Sequence, residues 1–313
     1  MDKGRQLKWS RKRVLVTGGA GFLGSALVRR LKEMSAEVIV LDDLSTGDRG
    51  LVKGLADEFV QDKVTLESLS KITDPDIIFH LGAPSSIILF DKNRDALKDT
   101  VGGMKAVLDY CASTHVQKLV YATSSSVYGN SKLPQSESMA TIPVNEYGVA
   151  KLSCEHLARV HPDVQSIGLR IFAGYGPGEG KKVGFCSVIG IFIANICANE
   201  RPMVFGNGSQ TRDFVYVDDI IECLLRAAHS GFHGVINVGS GDSQSFLQVL
   251  DMISTHLERK VVPRFVPEPK SYFEHTLADT TRLASVLNLQ PVRLINGITK
   301  YLQVSAQSGA LKI

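Results

Sequence analysis

The sequence predicts an α/β protein built on a doubly wound parallel sheet, with a smaller, discontinuous α/β lobe. Of its 313 residues, 44% are hydrophobic and 21% are charged, proportions typical of a globular chain rather than a disordered or fibrous one. Through the first half, short β-branched runs alternate with segments of helical period, the order that yields a parallel sheet covered by helices. The runs VLV, VIV and DIIF are apolar throughout, as strands buried on both faces are.

The elements of the large sheet follow from these runs in chain order. The predicted strands lie at 13–17, 37–41, 76–80, 118–122 and 166–171. The predicted helices lie at 24–34, 95–111 and 146–160. In the first helix Leu27, Val28 and Leu31 fall on one stripe, which would pack on the sheet.

Beyond Phe172 the alternation stops. A Gly- and Pro-rich loop, AGYGPGEGKKVG, precedes a predicted helix and the turn-rich FGNGSQTRDFVYV, and such loops tend to carry function. GVINVG at 234–239 is predicted to be one more strand of the large sheet. We therefore expect a large domain from 13–172 plus 212–250, a second lobe from 173–211 plus 251–313, and a basic tail at 1–12.

Composition excludes several classes of protein. The 35 bases and 32 acids give +3, and residues 1–13 hold six bases and one acid, so the other 300 residues sum to 3 − 5 = −2. This balance favours neither nucleic acid nor an anionic membrane as a partner. The basic start is followed by VLVTGGAGFLG, without the apolar region of a secretory signal, and predicts a solvated tail. The longest apolar stretch, 188–198, is far shorter than the ~20 residues of a spanning helix.

The five cysteines are odd in number and include no CxxC, so neither a disulfide framework nor a zinc site is predicted. A reducing cytoplasm fits this pattern. His229 and His233 are the one close histidine pair, and a turn there explains them better than a metal site does.

A dinucleotide site is predicted directly after the first strand. Gly18, Gly21 and Gly24 lie in TGGAGFLG, where glycines permit a tight turn and the following helix offers amide donors to a pyrophosphate. Asp42 ends the next strand, and a carboxylate there binds the ribose hydroxyls of NAD and repels the extra phosphate of NADP. The alternative is a structural glycine turn with a capping aspartate. Asp62 is a candidate adenine contact or a merely solvated aspartate.

A catalytic constellation is predicted from three residues. Tyr147 and Lys151 form YxxxK, whose i, i+4 spacing on a helix places phenol and ammonium on one face. The positive charge favours the phenolate and makes tyrosine a usable general base. Ser124 lies in TSSSVYG at a strand end and can relay a proton from a substrate hydroxyl. The alternatives are a surface Tyr–Lys pair and a serine-rich capping turn.

In order and spacing, these motifs resemble those of the extended short-chain dehydrogenase/reductases, and within them the NAD-dependent nucleotide-sugar epimerases and dehydratases. The matching motifs are TGGAGFLG, the strand-end Asp42, SSSVYG, YGVAK and RDFVYVDD, and the resemblance covers residues 12–305. It implies a Rossmann domain that retains NAD and a lobe that binds a nucleotide sugar. It also implies a homodimer joined through two helices per subunit, here 94–111 and 146–160.

The resemblance implies roles for single residues. Tyr147 corresponds to the catalytic base, Lys151 to the ribose-binding residue that tunes it, and Ser124 to the hydroxyl relay. Arg212 falls where an arginine binds the substrate diphosphate, a role that suits a planar cation with several donors. Ser125 is expected beside Ser124 at the substrate. The residues at NAD-contacting positions are Phe22, Leu23, Asp42, Asp43, Asp62, Leu81 and Phe172.

Within the family, the sequence favours a UDP-hexose 4-epimerase. The dehydratases have Asp and Glu for water elimination where this chain has Ser125 and Ser126. In the 4-epimerase cycle that the resemblance implies, Tyr147 takes the C4 hydroxyl proton while NAD takes hydride. The 4-keto sugar then turns over and hydride returns to its other face, so no cofactor is consumed.

Other activities stay open. YGPGEGKK is similar to the ADP-heptose 6-epimerases, in which a lysine at the position of Lys182 assists proton transfer; an ordinary solvated lysine is the alternative. Ala173 replaces the Asn of the family's NxYGP, and no arginine precedes Ala278 in an RxGD pattern, where Lys270 is the candidate substitute. Another nucleotide-sugar dehydratase or reductase is a further option. A non-catalytic NAD sensor or scaffold is the alternative of another class, although it would be expected to have lost Tyr147 or Lys151.

Overall fold

A seven-stranded, all-parallel sheet lies at the centre of the computed structural model, which describes residues 9–179, 186–268 and 274–308. The strands are β1 Arg13–Thr17, β2 Glu37–Leu41, β3 Glu58–Val60, β4 Ile77–His80, β5 Lys118–Ser124, β6 Ser166–Ile171, β7 Ala173–Tyr175, β8 Met203–Phe205, β9 Thr211–Tyr216, β10 Gly234–Val238, β11 Ser243–Ser245 and β12 Arg264–Val266. The helices are α1 Phe22–Glu33, α2 Leu66–Ser70, α3 Ile87–Lys92, α4 Ala96–Ser113, α5 Glu146–Arg159, α6 Val188–Cys197, α7 Val217–Ala228, α8 Phe246–His256, α9 Thr281–Leu287 and α10 Leu294–Gln307.

The order of the large sheet is β10-β6-β5-β4-β1-β2-β3. The chain first runs outward from β1 to β3 and then crosses back to β4, so the direction of winding reverses between β1 and β4. In the β1–β4 pair Thr17 lies opposite His80, and in the β1–β2 pair it lies opposite Leu41. Open α/β sheets bind ligands at the carboxyl edge beside such a reversal.

Both faces of the sheet are buried because successive strand residues point to opposite sides. Val14 and Val16 belong to the core that α1 and α7 cover. Leu15, between them, belongs to the core on the other face, which α4 and α5 cover. The predicted doubly wound sheet is therefore confirmed.

The five predicted strands, the three predicted helices and the returning strand at 234–239 are confirmed, with ends that differ by at most two residues. Edge strand β3 was not predicted because it has only three residues, all half-buried, and lacks an apolar run. The DFVY of the segment interpreted as turn-rich forms most of β9, and Val217 begins α7.

Two smaller sheets lie outside the large one. In the first, β9 pairs in parallel with β7 and antiparallel with β11. In the second, β12 pairs in parallel with β8. These strands come from the Gly- and Pro-rich region after Phe172 and from the last third of the chain.

The prediction of a solvated tail at 1–12 is wrong for its described end, residues 9–12. Trp9 is fully buried, with its ring 6.1 Å from that of Phe79 and 4.6 Å from that of His229. Lys12 donates hydrogen bonds of 3.0 Å to Asp76 and to Gln117. The basic residues of this segment predicted exposure, but the Trp9 indole covers apolar surface at the amino edge of the sheet.

All five cysteines are free.

Across 9–179, 186–268 and 274–308, no helix combines the length and apolar character that a membrane crossing requires.

Candidate functional site

The glycine-rich turn between β1 and α1 is closed by direct backbone packing. Gly18 has φ of +69°, and a Cβ there would lie 2.7 Å from the backbone of Gly82, which follows β4. A Cβ on Gly24 would overlap the carbonyl oxygen of Gly18. Gly21 donates its N–H to that same oxygen at 3.1 Å. Glycine is required here because the backbone of two strand ends meets at van der Waals distance.

Helix α1 begins at Phe22 and points its amino end at this turn. Its N-cap is Gly21, which has no side chain to accept from the first-turn amides, and the first turn has no acidic residue. Such an end attracts an anion through its amides and dipole. Phe22 is buried in the core behind the turn, and Leu23 is partly buried against it. Both predicted residues therefore support the turn by packing.

Asp42 ends β2 beside this turn. Its carboxylate accepts from the N–H groups of Ala20 and Leu44, both at 2.9 Å. Burial raises the pKa of Asp42, and the two hydrogen bonds oppose that shift. A carboxylate tied to the glycine turn suits two ribose hydroxyls and repels a phosphate, so this donor set fits NAD.

The first base after Asp42 in the sequence is Arg49. Arg49 stacks its guanidinium 4.7 Å from the ring centre of Phe59. Asp43, next to Asp42, is exposed and accepts from the N–H of Ser45 at 2.9 Å.

Three more predicted cofactor contacts lie at strand ends of the same edge. Leu81 follows β4 and donates its N–H to the carbonyl of Thr17 at 3.1 Å, which places it against the glycine turn. Phe172 follows β6 and is buried. Asp62 lies beyond β3, half-exposed, and forms an ion pair with Lys71 at 3.3 Å.

His80 was not predicted, although it borders the site. Its Nδ1 lies 2.8 Å from the Thr17 hydroxyl, which accepts from the N–H of Gly82 at 3.1 Å. Burial lowers the pKa of His80 to about 3, with a smaller contribution from the charge of Lys151, so the ring is neutral at pH 7. The sequence did contain a signal for this residue, because His80 is the one polar residue in the run IIFH and ends it.

The three predicted catalytic residues come together where α5 crosses the end of β5. Tyr147 lies in the first turn of α5, which the Asn145 side chain caps by accepting from Gly148 N–H at 2.8 Å. The Ser124 hydroxyl hydrogen-bonds the Tyr147 phenol. Lys151, one turn later, lies with Nζ 5.9 Å from the centre of the Tyr147 ring.

Burial opposes ionisation of both members of the YxxxK pair. It raises the pKa of Tyr147, an effect that the hydrogen bond from Ser124 partly offsets. It lowers the pKa of Lys151, whose Nζ donates to the Ala122 carbonyl at 3.3 Å. The chain alone therefore holds a neutral phenol at pH 7, and nearby positive charge is needed to make it a base.

The predicted substrate contacts are dispersed. Ser125 begins a short 3-10 turn directly after β5. Arg212 lies on β9, where its Nη1 donates to the carbonyls of Thr211 at 2.9 Å and Glu274 at 3.3 Å. Its guanidinium lies 5.5 Å from the ring centre of Phe246. Lys182 and Lys270 fall outside the described residues.

The described residues contain no group of three or more His, Cys, Asp or Glu side chains that could hold a metal ion.

Comparison with known proteins agrees with this geometry. A model of the NAD-dependent epimerase/dehydratase family matches residues 14–239. The structure is similar to UDP-glucose 4-epimerase from Thermotoga maritima, with 28% identity and a TM-score of 0.89 over 95% of this chain and 99% of that one.

Two other similar structures are those of enzymes named for different reactions. ADP-L-glycero-D-manno-heptose-6-epimerase from Helicobacter pylori shares 28% identity, with a TM-score of 0.83 over 97% of this chain and 98% of that one. An NAD-dependent NDP-hexosamine 5,6-dehydratase of tunicamycin biosynthesis shares 29% identity, with a TM-score of 0.85 over 95% and 98%.

Replacing Gly24 with alanine should weaken NAD binding about tenfold or more, because overpacking of this kind costs about 1–3 kcal/mol and here displaces the turn itself. Calorimetric titration of NAD into the cofactor-free protein measures the change. Gly231→Ala is the matched control, since a Cβ at Gly231 meets no atom within 4 Å. Equal affinities for the two variants would contradict the assignment of the turn.

Proposed function

Because the chain belongs to the NAD-dependent epimerase/dehydratase family, we propose that it is a nucleotide-sugar epimerase, specifically a UDP-hexose 4-epimerase acting through a transient 4-keto sugar. The observation that carries the proposal is the contact of Ser124 with Tyr147, with Lys151 one helical turn away. With NAD as the hydride acceptor, these three residues would supply the proton transfer that reversible oxidation of a secondary alcohol requires.

The cofactor is NAD, and when bound it supplies reversible hydride acceptance. The residues that would hold it are the glycine turn, the amino end of α1, Asp42 and Lys151. NAD fits these residues because the glycines of the turn have no Cβ atoms to obstruct a pyrophosphate and because Asp42 ends β2.

Proton movement falls to this chain's own residues. The Ser124 hydroxyl contacts the Tyr147 hydroxyl and accepts from the N–H of Ser126 at 3.1 Å, so it is held between these two groups. A sugar hydroxyl at this point would pass its proton to Tyr147, directly or through Ser124. Lys151 keeps a positive charge near the phenol and so favours its ionised form.

Epimerisation is preferred over elimination because the turn after β5 contains no acid. Ser125 and Ser126 stand where the dehydratases that the sequence resembles use Asp and Glu. Arg212 is proposed to bind the diphosphate, and its stacking on Phe246 would keep the guanidinium plane fixed.

A second candidate is epimerisation at C6 of an ADP-heptose. Similarity to the Helicobacter pylori enzyme supports it, as does the GPGEGKK loop. Lys182 would be the residue that assists proton transfer. A sensor or scaffold without activity is disfavoured because Ser124, Tyr147 and Lys151 are all present and in contact with one another or with the same strand end.

We expect the purified protein to interconvert UDP-glucose and UDP-galactose, and Tyr147→Phe to lower kcat at least about 100-fold, the usual share of a general acid–base. Epimers are separated by chromatography after incubation with UDP-, GDP-, dTDP- and ADP-sugars. Tyr110→Phe is the matched control, because Tyr110 is also buried and its hydroxyl binds the Ile72 carbonyl far from the site.

Three results would contradict this function. A product lighter by one water would indicate a dehydratase. Conversion of ADP-heptose alone would indicate the 6-epimerase. Full activity of Tyr147→Phe would remove the proposed base.

The pH dependence of kcat should report Tyr147. The ionised phenol accepts the proton, so the rate rises with pH until Tyr147 is ionised, and burial moves that limb upward. Lys151→Met removes the opposing positive charge and should shift the limb to higher pH by about one unit or more. Lys118→Met, equally buried at the other end of β5, should leave the limb in place. An unshifted limb in Lys151→Met would show that Lys151 does not tune the phenol.

The chain is also proposed to form a homodimer through α4 and α5. These helices share an apolar surface groove lined by Val101, Val149, Leu152, Ser153, His156, Leu157 and Val160. Val149 is 42% exposed and Val160 is 65% exposed, and such clustered apolar exposure favours association.

Val149→Glu should convert the dimer to a monomer, because a charge would be buried without a partner in the interface. Light scattering coupled to size exclusion measures the mass. Val262→Glu, at another exposed valine outside the groove, should remain dimeric. A monomeric wild type, or a dimeric Val149→Glu, would contradict this interface.

A further inference from the structure

Helix α5 makes a polar contact with the end of β5 from each of three successive turns. Spaced by four residues, the helix side chains lie on one face. The contacts are Tyr147 to Ser124, Lys151 to the carbonyl oxygen of Ala122, and Glu155 to the hydroxyl of Thr123. The first two involve the proposed catalytic residues. The third, 2.7 Å from the Thr123 hydroxyl to Glu155 Oε1, has no part in the proton path.

Glu155 is buried and is fixed from its other side by Arg170 of β6. Arg170 donates from Nε to Oε1 at 3.0 Å and from Nη2 to Oε2 at 2.6 Å, a two-pronged pairing that sets the plane of the carboxylate. Nη1 of Arg170 donates to the Tyr128 hydroxyl at 2.8 Å. The carboxylate that accepts from Thr123 is therefore immobilised by the neighbouring strand.

We propose that Glu155, held by Arg170, is a positioning residue that fixes the Tyr147–Lys151 pair over Ser124. This inference rests on the proposed function. In the proposed function Tyr147 and Lys151 both contact ligands, so each would exchange partners when ligands bind and its contact with β5 would not be constant through a cycle. The Glu155–Thr123 contact joins two residues that have no proposed role in binding ligands, so it would keep α5 at one height and rotation above β5 throughout.

Stability alone is a poor explanation for this arrangement. A buried ion pair adds little stability relative to apolar residues of the same size, because both charges lose their hydration. Directed hydrogen bonds instead fix orientation, and catalysis is sensitive to displacements of about 1 Å.

The test removes only the Thr123 hydroxyl. Thr123→Val preserves shape and leaves the Glu155–Arg170 pair in place. It should lower kcat about tenfold with KM within about twofold, the pattern expected when reacting groups are misplaced but binding persists. Thr123→Ser, which retains the hydroxyl, should restore kcat.

Thr100→Val is the matched control. Thr100 is buried on α4, and its hydroxyl has no hydrogen-bond partner within the described parts of the chain. The same substitution there should keep the wild-type kcat. A Thr123→Val protein that is less stable but retains the wild-type kcat would overturn the proposal.

A second readout does not depend on turnover. Competitive labelling of lysine amines, quantified by mass spectrometry, reports how often Lys151 leaves its buried position. Loss of one tethering hydrogen bond should raise the labelling rate of Lys151 in Thr123→Val about fivefold over that in Thr100→Val. If the wild type converts no nucleotide sugar, the proposed function fails and this rate alone decides the positioning role, with equal rates overturning it.

Discussion

The pairing of β1 with β4 is the constraint on which the site depends. The winding of the sheet reverses between these strands, and their carboxyl ends approach so closely that Gly18 and Gly82 leave no room for a side chain. The amino end of α1, the acid at the end of β2 and the end of β5 under the Tyr147 helix all lie at this carboxyl edge, where open α/β sheets bind ligands. Any residue larger than glycine at this junction would force the two strands apart.

Burial within the proposed site opposes the charged forms that catalysis requires. Burial raises the pKa values of Asp42 and Tyr147 and lowers that of Lys151. Each shift marks a free-energy cost of holding a charge without a ligand. The slightly acidic body can still bind polyanions, because helix amides and single cations, rather than net charge, would meet the phosphates.

Local patterns were sufficient to predict six of the seven strands of the large sheet, the glycine turn, Asp42 and the YxxxK helix, since each is specified by a few neighbouring residues. Contacts between distant segments were not predictable in this way. His80 meets Thr17 across 63 positions, and Trp9 is buried by residues from β4 and the end of α7. Glu155 and Arg170 look like ordinary surface charges in the sequence, and only the adjacency of β5 and β6 under α5 brings them together.

The edge strand β10 has a consequence for how the chain is made. It pairs with β6, yet residues 172–233, which include β7 to β9 and α6 to α7, lie between them in the sequence. On the ribosome, the growing polypeptide therefore carries β6 with one unpaired edge until Val238 has emerged. Unpaired strand edges invite aggregation, so this interval is the vulnerable stage of biosynthesis.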